Sequence, residues 1–533
     1  MKAWLLWLAL VLQVVISGPL TGVNVEILFT SPTSGSTYSA GTSDTLTTWA
    51  GTVRSDPGIQ TCAWVNDQGG SGQATANYGP QPTSSWSVSS VSLVVGDNTL
   101  TITCTNNTGG VAQKNLVVTR TSGAVANPIA ASRQPAGNTS APNTAWASAG
   151  RTGGIPTSEH ICYTDTGGLD TLSTINTQIG ACSGTATDQG VVVLQAGTYT
   201  FTSQLTLNKD YVTLRGAGET TTLVWTANGN GGCHIGDNSA IRMCQGASNI
   251  GIDSPDQTAT WSTGYAQGST VITLSCGAAC TDLAVGTTLW LDQLDDASDG
   301  FRSAGDVWVT SWNGGNLYVR ADRGVTEGHI VTAYAGSNIT ISPGVLFPSI
   351  RSGRSPGAWW GDAGSVLMGA GLENLSLDTT ADGDAALYLI NCTDCHVKGI
   401  RNIRTDTLSG GTLRQTAFIQ VNNTSVVDSY FYGPQASALI NLYGIAAYVT
   451  TNSLFQNNII HASVNPFVIN GTFLGNVMAY NTWNNVGVSA SFSQSSVIMH
   501  GYSLLNLFEG NHWRNISGDN ISTTHFFETM FRN

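Results

Sequence analysis

Charged residues are scarce in this chain. They make up 10% of its 533 residues, and 20 Lys and Arg against 33 Asp and Glu give a net charge of -13. Nucleic-acid binding depends on neutralising many phosphates, so this composition argues against a nucleic-acid partner. To bind an acidic polysaccharide, a protein of this charge would require a local basic patch or bridging Ca²⁺.

Long apolar runs are missing after the N-terminus. The opening, MKAWLLWLALVLQVVISG, places one Lys before an apolar run and ends in small residues. This is the pattern of a secretory signal, which we assign to residues 1–22. No later segment offers about 18 consecutive apolar residues, so we expect no membrane span. The protein is expected to be secreted or to lie at the cell surface.

Gly, Ser, Thr and Asn dominate instead, a profile that favours an extracellular all-β protein with many turns. The ten cysteines, an even number, fit an oxidising compartment. We predict five disulfides: Cys62–Cys104, Cys162–Cys182, Cys233–Cys244, Cys276–Cys280 and Cys392–Cys395. Free buried thiols are the alternative. A metal site at Cys392 and Cys395 is disfavoured, because the sequence contains no second ligand pair of matching spacing.

Residues 23–121 contain short alternating runs separated by GSG, GDN and GG turns. Together with Cys62, Trp64 and Cys104, these runs predict a β-sandwich. The segment resembles the bacterial immunoglobulin-like modules found beside catalytic domains in secreted enzymes, which implies a spacer or a weak carbohydrate contact. Residues 122–159 lack apolar periodicity and are rich in small residues, Pro and Asn, which predicts a flexible linker.

From residue 160 onward, short β-branched runs alternate with Gly-containing turns. Residues 189–218, QGVVVLQAGTYTFTSQLTLNKDYVTLRGAG, resemble the opening coils of a right-handed parallel β-helix of the pectate-lyase type. In that superfamily the solenoid most often handles polysaccharide outside the cell. Just before this stretch, helical spacing separates Leu169, Leu172, Ile175 and Ile179, which predicts a short helix. This helix would close the open end of the solenoid.

The remainder of this domain, residues 160–533, combines an insertion with a repeat. Residues of about 264–348 break the solenoid rhythm and predict a β-rich insertion. LWLDQLDD, VTAYAGSNITISPG, GLENLSLD and NCTDCHVKGIRNI resemble a subgroup of secreted β-helix proteins, mostly without assigned activity. Members usually continue beyond the FRN phrase, so we expect a chain truncated at its C-terminus.

The repeat places Asn at the end of four similar phrases, SLFQNN, NVMAYN, NLFEGN and ETMFRN. The spacings between Asn458, Asn481, Asn511 and Asn533 are 23, 30 and 22 residues, which fits one coil of a solenoid. Asn tolerates left-handed backbone, and stacked Asn side chains can hydrogen-bond from coil to coil. We interpret this ladder as structural support.

In β-helices that act on sugars, a lyase uses Arg or Lys as base while Ca²⁺ or further cations neutralise the uronate carboxylate. The local concentration of cations provides four catalytic candidates, Lys398, Arg401, Arg404 and Arg414. His396 is a candidate substrate contact. Because side chains alternate across a strand, Lys398 and Arg404 could share an outward face. The alternative is that these cations are surface charges or form pairs between coils.

A hydrolase would use paired carboxylates instead. Asp378, Asp382 and Asp384 could form an acid pair, a Ca²⁺ site or an Asp- and Gly-rich turn, and they are our candidate Ca²⁺ ligands. A second acidic cluster could hold Ca²⁺ or face solvent: Asp292, Asp295, Asp296 and Asp299. Four tryptophans could stack on sugar or plug the seam between insertion and solenoid: Trp308, Trp312, Trp359 and Trp360.

The sequence therefore predicts a secreted, bacterial, monomeric polysaccharide-active β-helix protein that acts as a lyase of uronate-containing glycans. One alternative is a glycoside hydrolase on the same fold. Another is a non-catalytic glycan-binding or adhesive surface protein, since the fold alone does not decide. Buried or scattered cations between residues 396 and 414 would favour the binding protein.

Overall fold

The fold is that of a computed structural model with two compact units, Met1–Ala126 and Asn127–Asn533. The predicted signal segment lies outside the residues that the structure describes, and so does most of the predicted linker. The described residues are 25–41, 43–56, 58–76, 83–120, 146, 149–165, 170–227, 233, 238–245, 255–276, 280, 282–295, 318–380, 385–405, 413–433, 442–463, 465–486, 495–518, 525 and 528–533.

The first unit contains two sheets around one apolar core. The antiparallel sheet has the strand order Glu26–Ser31, Thr45–Arg54, Thr83–Ser92 and Thr75–Ala76. The other sheet has the order Thr37–Gly41, Val111–Arg120, Gly96–Asn106, Ile59–Asn66 and Ser71–Gln73. Trp49 and Trp86 meet edge to face in the core, with ring centroids 5.3 Å apart. The Cys62–Cys104 disulfide joins paired residues of neighbouring strands in one sheet, whereas antibody domains bridge their two sheets.

The second unit is a solenoid of three parallel sheets, here called sheets I, II and III. Sheet I contains Glu159–Thr164, Gln189–Val193, Val212–Arg215, Gly371–Glu373, His396–Lys398, Ser425–Val427, Leu454–Gln456, Val477–Ala479, Leu507–Glu509 and Thr529–Phe531. Sheet II contains Gly197–Phe201, Thr221–Trp225, Ser376–Asp378, Arg401–Ile403, Tyr430–Tyr432, Ile459–His461 and Thr482–Asn484. Sheet III contains Leu205–Leu207, Ser239–Met243, Leu367–Met368, Ala385–Thr393, Leu413–Asn422, Leu442–Ala447, Thr450–Thr451, Asn465–Ile469, Phe473–Leu474, Val497–Met499, Ser503–Leu504 and Ile516–Gly518.

One apolar core runs through the inside of the solenoid. In most three-residue strands of sheets I and II the central residue enters it, as with Leu372 in sheet I and Leu377 in sheet II. Phe418, Phe455 and Phe467 form an edge-to-face column, with successive centroids 5.3 Å apart. The predicted all-β chain with a parallel β-helix is confirmed, and the residues that flank each central position are left for the outer side.

A short helix, Leu172–Ala181, lies at the first coils. The Thr171 side chain caps it by accepting from Thr174 N at 3.2 Å. Ile175 and Ile179 enter the solenoid core, as their spacing predicted, whereas Leu169 lies outside the described residues. A 3₁₀ turn, Ser352–Arg354, is found in the insertion. In the described part of the chain, no helix combines the length and apolar character needed to cross a membrane.

All five predicted disulfides are formed. Cys162–Cys182 connects a sheet I strand to the end of the helix. Cys392–Cys395 closes a short loop between sheets III and I. Because both sulfurs of that pair are bonded to each other, the alternative of a metal site there is wrong.

The predicted Asn ladder is present at the corner between sheets I and II. Asn458, Asn481, Asn511 and Asn533 are linked in sequence, each Oδ1 accepting from the backbone N and the Nδ2 of the preceding Asn at 2.9–3.0 Å. The left-handed residue is the one before each of these, such as Asn457 (φ 55) and Tyr480 (φ 57). The ladder Asn therefore provides hydrogen bonds, and its neighbour provides the turn.

A second ladder, not predicted, occupies the corner between sheets III and I. Asn476 Oδ1 accepts from Ser453 N, and Asn506 Oδ1 accepts from Asn476 N, both at 2.8 Å. The next acceptor is a carboxylate, because Glu528 accepts from Asn506 N at 3.2 Å and Nδ2 at 3.1 Å. A ladder position can therefore change residue type without losing its hydrogen bonds.

Glu528 should make stability depend on pH. Burial raises the pKa of Glu528 from its ordinary 4.5 to about 8, although hydrogen bonds from Ser503 and Asn506 act in the opposite direction. The folded state therefore binds the proton more tightly, so its stability should fall as pH rises from about 4.5 to about 8. We expect Glu528→Gln to flatten this decline in thermal unfolding scans, and Glu509→Gln in the neighbouring coil to leave it intact. An unchanged decline in Glu528→Gln would contradict the assignment.

The insertion is a closed six-stranded barrel. Its strands follow one another in the order Gln257–Thr263, Val271–Ser275, Asn338–Ser342, Thr326–Ala335, Thr288–Asp292 and Gly357–Trp360. The first and last of these pair antiparallel and close the barrel. It therefore extends beyond the expected 264–348 at both ends, because the closing strands lie outside those bounds. Its own core includes Trp261, Leu289 and Trp360.

Part of the predicted flexible linker packs on the solenoid. We name Trp146 and residues 149–152 the strap. Trp146 is 4% exposed and contacts Val477 and Leu507 of sheet I. The donors and acceptors that tie the strap to successive corners are Trp146 Nε1 to Leu505 O (3.1 Å), Gly150 N to Asn452 O (2.7 Å), Thr152 N to Asp394 Oδ1 (2.8 Å) and Arg151 Nη1 to Gly369 O (2.9 Å). The linker prediction is wrong for these residues, because a few anchoring side chains outweigh a polar composition.

Candidate functional site

The strap covers much of the outer side of sheet I. Beneath it, Ser425 and His396 are 4% and 0% exposed, and Ser425 Oγ accepts from Arg151 N at 2.9 Å. Gly150 lies so close to Ser425 and Leu454 that a side chain at this position would clash. A polymer could not reach this part of sheet I without displacing the strap.

The barrel and the residues beside it cover the outer side of sheet III. Trp359 stacks on Trp290, with centroids 5.5 Å apart, and both belong to one cluster with Tyr388 and Ile390 of sheet III. Asn452 Nδ2 donates to Gly328 O of the barrel at 2.8 Å. This side of the solenoid is therefore an internal interface.

Sheet II keeps exposed side chains among the described residues. Phe431 and Ile460 point into the core, which places their neighbours on the outer side. Parallel pairing aligns Arg401 with Tyr430 and Ile459 in one row. A second row aligns Ile403, Tyr432 and His461. We name five of these residues the tyrosine platform: Arg401, Tyr430, Tyr432, Ile459 and His461.

The platform has defined geometry. The rings of Tyr430 and Tyr432 are nearly parallel, with an interplanar angle of 25° and centroids 6.4 Å apart. His461 stands at 87° to Tyr432, 5.3 Å away. The Tyr430 hydroxyl lies 2.8 Å from His461 Nδ1, and Arg401 Cζ lies 6.0 Å from the Tyr430 centroid. Burial raises the pKa of Tyr430, while Arg401 acts in the opposite direction. The platform thus combines aromatic surface, a neutral phenol and an exposed cation.

The alternation in SVVDSYFYG could have revealed this platform. In Tyr-Phe-Tyr, period-2 alternation sends both tyrosines to one side and Phe431 to the other. His461 belongs to the next coil, 31 residues after Tyr430. Its position follows only from knowing the register between coils.

The four cations predicted to be catalytic do not share one face. Lys398 belongs to sheet I, Arg401 to sheet II and Arg414 to sheet III. Gly399, with φ 62, turns the chain between Lys398 and the next strand. Arg404 is 1% exposed. The expectation of a common outward face for Lys398 and Arg404 is wrong, because a corner of the solenoid separates them.

His396, predicted to contact substrate, belongs instead to a buried ionic network. Its Nδ1 lies 2.9 Å from Arg151 Nη1, and its Nε2 lies 2.9 Å from Glu373 Oε1. Arg215 Nε donates to Glu373 Oε2 at 2.7 Å, and its two terminal nitrogens donate to Glu159 at 2.6 Å each. Because His396 is fully buried beneath the strap, it cannot meet a polymer in this structure.

The protonation states of this network follow from its donors. Arginine can only donate, so His396 Nδ1 must accept and its Nε2–H donates to Glu373. Burial lowers the pKa of His396, against the raising influence of Glu373. Burial would raise the pKa of Glu373, yet the hydrogen bonds from His396 and Arg215, together with the Arg215 charge, lower it to about 2. The network therefore holds a neutral imidazole and an ionised carboxylate.

The two predicted aromatic contacts that the structure describes are buried as well. Trp359 and Trp360 are each 1% exposed. Trp359 fills the seam between barrel and solenoid, which was the alternative interpretation, and Trp360 belongs to the barrel core. The prediction that Trp359 and Trp360 contact sugar as exposed side chains is therefore wrong, because the closing strand of the barrel packs on both of its sides. Trp308 and Trp312 lie outside the described residues.

The predicted Ca²⁺ ligands are only partly described. Asp378 is half-buried, and its Oδ1 accepts from Thr380 N at 3.0 Å. Asp382 and Asp384 lie outside the described residues. Within the described ranges, no group of three or more His, Cys, Asp or Glu residues could hold a metal ion.

The structure describes two members of the second acidic cluster, Asp292 and Asp295, and neither is exposed to solvent. Asp292 is fully buried and forms ion pairs with Arg320 and, at 2.7 Å, Arg323. Burial raises the pKa of Asp295 to about 6, and its carboxylate is hydrogen-bonded to Tyr502 at 3.2 Å. These two carboxylates support the barrel and its seam, and the other two members, Asp296 and Asp299, lie outside the described residues.

No protein-family model matches the chain, and no curated protein matches it in sequence. Among solved structures it is similar to the tailspike of Acinetobacter baumannii bacteriophage AP22 in complex with a capsular saccharide, at 10% identity and TM-score 0.30, over 68% of this chain. The chain spans 66% of that tailspike's length. It is also similar to a Yersinia enterocolitica family 28 exopolygalacturonase, at 10% identity and TM-score 0.26, over 96% of this chain and 90% of the other. A surface adhesin of Streptococcus pneumoniae matches at 9% identity and TM-score 0.19, over 61% and 73%.

Proposed function

We propose that this chain is an extracellular glycan-binding protein whose saccharide lies across the tyrosine platform. The observation that carries this proposal is the stacked pair Tyr430 and Tyr432 on the outer side of sheet II, flanked by Arg401 and His461. An aromatic face suits the C–H side of a pyranose, and the hydroxyls and the guanidinium can bond its substituents. Five disulfides support an extracellular location.

Tyr432→Ala is expected to weaken glycan binding at least about tenfold, which corresponds to about 1.4 kcal/mol for a lost stacking surface. Isothermal titration with pectic, alginate, glycosaminoglycan and neutral polymers would measure it. Tyr334→Ala is the matched control, because Tyr334 is a 40% exposed tyrosine on the barrel. Equal affinities of wild type and Tyr432→Ala for every bound polymer would refute the platform.

A lyase of uronate-containing glycans is the second candidate. Arg401 is the one predicted catalytic cation that lies exposed on the platform, where it could pair with a uronate carboxylate. A hydrolase requires two carboxylates. Asp378 is the single carboxylate among the outward residues of the described sheet II strands, which favours elimination over hydrolysis.

The remaining assignments complete this proposal. The first unit would be an immunoglobulin-like spacer, the solenoid a member of the pectate-lyase-like superfamily, and residues 1–22 a bacterial secretory signal. We propose that the protein works as a monomer on extracellular polysaccharide, without nucleic acid.

A Ca²⁺ requirement is proposed with Asp378 as its described ligand. Calcium-dependent stabilisation in thermal unfolding, lost in Asp378→Asn, would support it, and unchanged unfolding would remove it.

A further inference from the structure

The tyrosine platform contains a hydrogen-bonded acid–base pair. The Tyr430 hydroxyl lies 2.8 Å from His461 Nδ1, across two neighbouring coils of sheet II. Both side chains are half-exposed, so a ligand on the platform can reach them.

We propose that Tyr430 and His461 cleave a uronate-containing chain by β-elimination, with Arg401 holding the carboxylate. This inference rests on the proposed function of the platform and assigns residues to the elimination reaction of its second candidate. It assigns the chemistry to three neighbouring residues in two rows of one sheet, instead of to the four cations that lie on different sheets.

The step balances without a co-reactant. The Tyr430 oxygen takes the proton from C5 of the uronate while its own proton passes to His461 Nδ1. The C5–H electron pair forms the C4–C5 double bond, and the C4–O4 bond breaks with its pair on the leaving oxygen. The proton held by the Tyr430–His461 pair then returns to that oxygen. Arg401 stabilises the negative charge that develops on the carboxylate.

The need for His461 follows from the state of Tyr430. Burial raises the pKa of Tyr430, so its phenol stays protonated and is a poor base by itself. An acceptor at hydrogen-bond distance removes this obstacle, because the phenol can pass its proton on as it takes another. His461 therefore acts through Tyr430 as a positioning and proton-accepting residue.

The decisive variant is Tyr430→Phe, which keeps the ring and removes the hydroxyl. Purified protein is incubated with polygalacturonate, alginate, hyaluronan and glucuronan, and the ultraviolet absorbance of unsaturated uronate is followed. We expect elimination by wild type on at least one polymer, and a loss on the order of 10²- to 10⁴-fold in Tyr430→Phe. Titration should show affinity for that polymer within about threefold of wild type, since stacking is retained.

His461→Ala distinguishes proton transfer from a structural role. We expect added imidazole to restore part of its elimination rate, which it would not do if His461 only braced Tyr430. Unimpaired elimination in Tyr430→Phe would overturn the acid–base pair. A polymer that is bound but never cleaved would overturn this inference and leave the proposed binding function standing. Absence of binding to every polymer would overturn both.

Discussion

Replacing Asn481 with Leu is expected to lower the free energy of unfolding by about 3–5 kcal/mol, because it leaves several buried polar groups unpaired. Asn481 Oδ1 accepts from Asn458 N and Nδ2, both at 3.0 Å. Its Nδ2 donates to Phe455 O at 2.9 Å and Asn511 Oδ1 at 3.0 Å. Leu fills a similar volume but can neither donate nor accept, so the neighbouring coils lose the side-chain hydrogen bonds that connect them at this corner.

The matched control is Asn457→Gly. Asn457 is also a corner asparagine, but it is exposed and adopts φ 55, a conformation that glycine adopts without steric cost. We expect this variant to stay within about 1 kcal/mol of wild type. Urea unfolding, followed by circular dichroism and by tryptophan fluorescence, would compare the two. Equal stability of Asn481→Leu and Asn457→Gly would mean that the ladder is not a source of stability.

The ladder illustrates which parts of the fold a single sequence can predict. The ladder is visible in the sequence because one residue type recurs once per coil, as Asn458, Asn481, Asn511 and Asn533. The second ladder passes through Ser453, Asn476, Asn506 and Glu528, which accept the same hydrogen bonds with three different side chains. Periodicity of residue type therefore reveals the solenoid, while periodicity of hydrogen-bonding role is visible only in three dimensions.

The site was harder to predict because adjacency in sequence is misleading in a solenoid. Lys398, Arg401 and Arg414 are close in the chain, yet each belongs to a different sheet. Tyr430 and His461 are 31 residues apart, yet they share a hydrogen bond. A corner every few residues disperses neighbours, and parallel register joins residues one coil apart.

Removing the Glu373 carboxylate should be as damaging as breaking the ladder. Removing a buried acceptor costs about 1–3 kcal/mol for each buried donor left unpaired, and more where the donor is charged. In Glu373→Ala, Arg215 loses one of its two carboxylate partners and His396 Nε2 loses its acceptor. Glu509→Ala is the matched control, since Glu509 aligns with Glu373 in the same outward row of sheet I but is only half-buried. We expect urea unfolding to show about 1 kcal/mol or less for this control.

The pH dependence separates an electrostatic effect from a packing effect at Glu373. Its pKa of about 2 lies below the ordinary 4.5. The carboxylate therefore contributes stability above pH 4.5 that is lost as pH falls from about 4.5 to about 2. His396, whose pKa is lowered from 6.5 by burial, should add a loss that begins below about pH 6.5, because the unfolded chain takes up the proton first. We expect acid titration of Glu373→Ala to show a smaller loss between pH 4.5 and 2 than wild type, and a loss of equal size in both proteins would leave only a packing role for this side chain.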